Sequence, residues 1–60
     1  MTVNFCESGI GVLLSVANMS IAPEIEDRII LNSKAYFVQD RQFEFDKNDI
    51  KLNIFLECIG

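Results

Sequence analysis

The clearest pattern in the chain is an alternation near its C-terminal end. Ile50, Leu52, Ile54, Leu56 and Cys58 alternate with Lys51, Asn53, Phe55, Glu57 and Ile59. Successive side chains on a strand point to opposite faces. The run therefore predicts a strand over 50–59 with one wholly apolar face.

The same periodicity predicts four more strands. Residues 2–7 (TVNFCE) place Val3 and Phe5 on one face, Asn4 and Cys6 on the other. Residues 11–19 form the second strand. Val12, Leu14 and Val16 oppose Leu13, Ala17 and Met19 there, so both faces are expected to be buried. Residues 28–31 (RIIL) form the third, and 34–46 a long fourth. The fourth changes phase, because Tyr36 and Val38 fall on even positions and Phe43 and Phe45 on odd ones. A β-bulge near Asp40-Arg41 would return all four to one apolar face.

Turn chemistry separates these runs. Ser8-Gly9-Ile10-Gly11 holds two glycines in four residues, a turn signal. Asn32-Ser33 suits a two-residue hairpin turn, because Asn tolerates positive φ. Lys47-Asn48-Asp49 separates the last two strands. Residues 20–27 (SIAPEIED) are irregular, since Pro23 lacks the N–H that a sheet ladder needs. One short helical turn over 23–27 is the alternative, with Pro near its first position and acids in its first turn.

The predicted fold is all-β. A small antiparallel meander over 28–59 curls into a half-barrel, which the N-terminal strands complete. The chain is long enough for one domain, 1–60. At 60 residues it buries only about 60% of the surface exposed when unfolded, so its stability is marginal. Val, Ile, Leu and Phe nevertheless supply 22 residues, a large apolar load for so small a core. Part of that load is expected to face a second copy or a partner protein, and a homodimer is the leading expectation. Phe55 and Ile59 share the otherwise polar face of the last strand with Lys51 and Glu57. These four residues are the expected dimer or partner contact.

Charge narrows the partners. Nine acids oppose five bases, for a net charge of −4. That balance disfavours phosphate backbones and anionic membrane surfaces, and leaves a basic protein partner open. The acids fall into two groups, Glu24, Glu26 and Asp27 in the irregular segment, and Asp40, Glu44, Asp46 and Asp49 along the fourth strand and its turn. Together they form a second expected partner surface. Glu44 and Asp46 lie on one face at a spacing comparable to phosphates along a nucleic-acid strand, which raises mimicry as an alternative. A solvated strand face is preferred, because −4 is weak for a mimic. Residues 8–22 are uncharged but include Ser8, Ser15, Asn18 and Ser20, and are too short for a spanning helix. With no Lys or Arg in residues 1–5, no secretory n-region is expected, and the expected location is the cytoplasm.

Little in the sequence points to catalysis. There is no histidine, which removes the commonest general base and metal ligand. Neither a metal nor a cofactor is expected. Cys6 and Cys58 would meet in a disulfide if the first and last strands were neighbours; reduced thiols are preferred for a cytoplasmic chain. A calcium loop over 46–57 fails, because Lys51 stands where the sharp turn needs Gly. Gly9-Ile10-Gly11 lacks the third glycine and the helix of a dinucleotide fingerprint. The aromatics Tyr36, Phe37, Phe43 and Phe45 read as core packing rather than a base-stacking platform, since their charged neighbours are mostly acidic, with Phe55 the exception on the outer face of the last strand.

The stretch 28–57 (RIILNSKAYFVQDRQFEFDKNDIKLNIFLE) resembles the strand–turn–strand–strand core of small accessory proteins of phages and prophages. The resemblance covers half the chain and transfers no specific functional residue. It implies a non-catalytic, oligomeric inhibitor of a host defence protein, acting in the host cytoplasm. The alternatives are a small barrel that binds nucleic acid or assists phage assembly, and a sponge for a small molecule such as a nucleotide.

Overall fold

A computed structural model of the chain describes residues 1–59. It contains β1 (Thr2–Glu7), β2 (Gly11–Val16), β3 (Arg28–Leu31), β4 (Lys34–Asp46) and β5 (Asp49–Cys58). The fold is all-β. One five-stranded sheet in the order β2-β1-β5-β4-β3 curls into a half-barrel. β3, β4 and β5 form the expected antiparallel meander. β1 joins it by pairing parallel to β5, which makes the sheet mixed.

The apolar alternation sets the core. Val3, Phe5, Tyr36, Val38, Leu52, Ile54 and Leu56 are all buried. Register places Val3 beside Leu52, Phe5 beside Ile54, and Val38 beside Leu56, so these side chains share one face of the sheet. Fully burying such a side chain contributes roughly 1.5–3 kcal/mol. The segment 17–27 covers this face. It runs from β2 at one edge of the sheet to β3 at the other, and packs Met19 and Ala22 on the core.

Several boundaries differ from the sequence expectation. β2 ends at Val16 rather than Met19, because Asn18 takes a positive φ of 57° and turns the chain. Its two faces are not both buried, since it is an edge strand with Val12 and Leu14 exposed. Its register also shifts at Phe5/Cys6, which skips Leu13. Leu14 and Val16 therefore align with Phe5 and Val3, while Val12 aligns with Cys6 on the opposite face. The bulge in β4 falls between Val38 and Asp40, one residue before the expected position. It has the expected consequence: Arg41, Phe43 and Phe45 align with Ile54, Leu52 and Ile50 on the core face.

The turns follow from local chemistry. Asn32 and Ser33 both take positive φ, 51° and 67°, as a type I′ turn requires. Gly9, at φ 79°, is third in the Glu7–Ile10 turn, which Ile10 N–H closes by donating to Glu7 O at 3.0 Å. Lys47-Asn48 is a two-residue turn, so Asp49 belongs to β5 rather than to the turn. β5 stops at Cys58, although Ile59 N–H still donates to Ala35 O at 2.9 Å.

The helical turn over 23–27 does not form. Glu24–Asp27 is a single turn in which Asp27 N–H donates to Glu24 O at 3.1 Å and Glu24 N–H donates to the Asp27 carboxylate at 2.8 Å. Glu26 sits at φ 76°, outside helical space. Its N–H donates to Val38 O at 2.8 Å, and Val38 N–H donates to Asp27 O at 2.9 Å. The competing partner is thus β4, whose edge draws this segment into the sheet.

Candidate binding surfaces

The two cysteines lie apart. Cys6 aligns with Phe55, and Cys58 lies three residues further along β5, hence on the opposite face. Both are free thiols, and burial pushes the Cys6 thiol above its ordinary pKa. β1 and β5 are neighbours as a disulfide would need, but strand parity separates the sulfurs.

Lys51, Phe55, Glu57 and Ile59 share the outer face of the sheet, as the alternation requires. Phe55 and Ile59 are half-buried there rather than freely exposed. Phe55 lies between Cys6 and Asp40, and Glu57 opposes Phe37. Phe37 also carries the Arg28 guanidinium 5.8 Å from its ring centroid. Beside this apolar row runs a polar ladder that sequence reasoning missed. Ser15 Oγ donates to Asn4 Oδ1, Asn4 Nδ2 donates to Asn53 Oδ1 at 3.0 Å, and Asn53 Nδ2 donates to Glu44 Oε1 at 3.1 Å. It crosses four strands and satisfies their amides internally. The only signal in the sequence was that each member stands at an outward position of its strand.

The acidic residues do not form one surface. Glu24, Glu26 and Asp27 sit in the turn that enters β3. Asp40, Glu44, Asp46 and Asp49 follow the outer face of the β4–β5 hairpin. Three of these carboxylates cap backbone groups. Arg41 N–H donates to Asp40 at 2.8 Å, Lys47 N–H to Asp46 at 2.8 Å, and Ile50 N–H to Asp49 at 2.9 Å. Such caps satisfy N–H groups that a sheet edge leaves unpaired.

The largest departure concerns Phe43 and Phe45. They stand on the core face, as the bulge requires, yet they are 50% and 75% exposed. Core packing was the wrong expectation for them, and for Phe37, which stands on the outer face opposite Glu57 and is 41% exposed. Phe45 and Ile50 lie past the end of β1, whose first partner on β5 is Lys51. Phe43 lies level with Val3 of β1, across Leu52, but on the edge of β4 that β3 leaves bare beyond Phe37. Nothing among the described residues covers the core face there. Phe43 and Phe45 stack with centroids 6.3 Å apart, beside Ile50, 44% exposed, and Met1, 45% exposed. Arg41 borders this patch with its guanidinium 5.9 Å from the Phe43 centroid. Its Nε is buried without a hydrogen-bond partner.

A separate apolar cleft of about 230 Å³ opens between the rims of β2 and β3, lined by residues that include Leu14, Val16, Met19, Ile29 and Leu31. It offers almost no polar surface with which to hold a nucleotide. Among the described residues, no group of three Cys, Asp or Glu side chains is placed to hold a metal ion. Among the described residues, no helix is long and apolar enough to cross a membrane.

Compared with protein-family models, with curated proteins and with solved structures, the chain matches none.

Proposed function

We propose that this chain is a non-catalytic protein-binding module whose contact surface is the distal core face of the β4–β5 hairpin. The observation that carries this reading is the row Phe43, Phe45 and Ile50, left 44–75% exposed on a face that is fully buried a few residues away. Contiguous exposed apolar surface of this kind marks interaction sites. Aromatic, Met and Arg side chains are the types enriched at interface centres. The partner is a protein whose contact segment is apolar on one side and basic on the other, because Glu44, Asp46 and Asp49 alternate with the aromatics and Ile50 along the hairpin and the chain carries −4 overall. The same carboxylates oppose a phosphate backbone, which counts against a nucleic-acid platform built on these rings. The resemblance of residues 28–57 to phage accessory proteins directs the search to host proteins.

Selection of ligands from a random-peptide library by the immobilised protein tests this reading. Enriched ligands that a Phe43→Ser/Phe45→Ser variant fails to hold are the expected result. Ligands held equally by both proteins, or no enrichment, would overturn it.

A further inference from the structure

The protein-binding reading leaves open how a partner engages the hairpin, and the backbone of β4 supplies an answer. Alternate residues of an antiparallel strand turn both backbone groups toward the same neighbour. Asp46 faces Asp49 across the hairpin end, and Arg41 N–H is held by the Asp40 carboxylate rather than by β5. Arg41, Phe43 and Phe45 therefore turn their N–H and C=O groups away from β5. β3 does not reach them, since its pairing with β4 ends at Phe37 and the preceding turn meets only Val38. The edge at Phe43 and Phe45 is an open template, framed by Asp40 and Asp46, whose carboxylates cap the flanking N–H groups.

Side chains on the two sides of this edge differ in chemistry. Arg41, Phe43 and Phe45 occupy the core face. Asp40, Gln42, Glu44 and Asp46 occupy the outer face. A strand added here places each of its residues beside a β4 residue on the same face. We propose that β4 accepts an extended peptide of alternating basic and apolar residues as a sixth strand. Its apolar side chains lie on Phe43 and Phe45, and its basic ones meet Glu44 and Asp46. An acidic residue opposite Arg41 would pair with its guanidinium at the border of the aromatic patch. This is strand addition, in which main-chain bonds hold the ligand and alternate side chains select it. It rests on the protein-binding reading and adds the partner's chemistry and geometry.

A second copy fits this edge poorly. Two-fold antiparallel pairing about Phe43 sets each Asp40 against the other copy's Asp46, and brings together two chains of −4 each. Like charges directly opposite destabilise a strand pair.

The test titrates the isotopically labelled full chain with the acetylated peptide KVKVKE, with its charge-reversed counterpart EVEVEK, and with a backbone N-methylated KVKVKE. The expected result is that KVKVKE shifts the Phe43 and Phe45 amides and slows their hydrogen exchange. EVEVEK should bind roughly tenfold more weakly, the sum of a few reversed cross-strand charge pairs. N-methylation should abolish binding, and Glu44→Lys should narrow the preference for KVKVKE. Binding that ignores charge reversal or N-methylation overturns the proposal, as does no perturbation of β4. Concentration-dependent shifts of Phe43 and Phe45 without peptide also overturn it, by assigning the edge to a second copy. Library ligands that need Phe43 and Phe45 while KVKVKE fails would overturn strand addition and leave the protein-binding reading intact.

Discussion

The β4–β5 pair has two ends built from the same alternation, and they meet opposite fates. At the proximal end, Tyr36 and Val38 on β4 and Ile54 and Leu56 on β5 are sealed under the 17–27 segment and β1. At the distal end, Phe43, Phe45 and Ile50 occupy the same face and stand in water. Neither hydrophobicity nor periodicity separates the two. The difference is coverage. All five strands and a crossing segment contribute to the proximal end, whereas Phe45 and Ile50 lie where only β4 and β5 continue, and Phe43 stands on the bare edge of β4. An isolated hairpin is marginally stable at best, so an uncovered aromatic face on one is unexplained by stability. That contrast is the reason we propose the distal end as a binding surface.

The sharpest way to break the comparison is to truncate one residue at each end. Ile54→Ala should cost about 2–5 kcal/mol, since it opens a cavity in a fully buried site. Phe45→Ala should cost under about 0.5 kcal/mol, the usual range for surface changes. Urea denaturation of both variants measures the gap. Equal losses would show that the distal face is packed in solution.

A smaller effect is expected at the proximal hairpin turn. Ser33 holds φ at 67°, a conformation that costs an L-residue roughly 1–2 kcal/mol. Ser33→Gly relieves it while adding freedom to the unfolded chain, so a net gain of about 0.5–1 kcal/mol is expected in the same urea assay.

Tyr36 reports on proximal burial through pH. Burial, followed by the charge of Glu7, raises its pKa above the ordinary 10.0. Its phenol donates to Glu7 Oε1 at 3.5 Å. The unfolded chain releases this proton first, so between the two pKa values the native state holds more protons than the unfolded one. The contribution to stability is complete below about pH 10 and is lost as pH rises through the folded value. Urea midpoints should therefore fall at alkaline pH, and Tyr36→Phe should flatten that fall. An unchanged slope would mean that Tyr36 is solvated.

The smallest effect concerns the thiols. Cys58 is exposed and Cys6 half-buried with a raised pKa. A thiolate-specific reagent should modify Cys58 first, with Cys6 reacting more slowly, as a time course by mass spectrometry would show. Equal rates would mean that the β1–β5 seam opens readily.

Much of the local architecture was legible. The five strands, the Asn32-Ser33 turn and the need for a bulge in β4 all follow from period-two patterning and turn chemistry. These are short-range effects, fixed by residues within a few positions of one another. The site was less legible. Phe55 and Ile59 drew attention because they break the polar face of β5, yet their outer-face neighbours half-bury them. Phe43 and Phe45 fit the apolar pattern, so nothing in the pattern marked them as exposed. The turn at Glu24–Asp27 was also hidden, because its closing partners Val38 and Asp27 become neighbours only through the sheet.

Period-two patterning and turn chemistry are enough to place the strands, the turns, and the side chains that share a face of each strand. Alternation is blind to direction and to distance, however. It assigns a face without saying which strand lies alongside or what lies above. Long-range packing is what sets β1 parallel to β5, puts the bulge between Val38 and Asp40, and lays segment 17–27 over one end of the core face and not the other. Coverage depends on where the crossing chain lands, and that is set by packing between residues far apart in sequence.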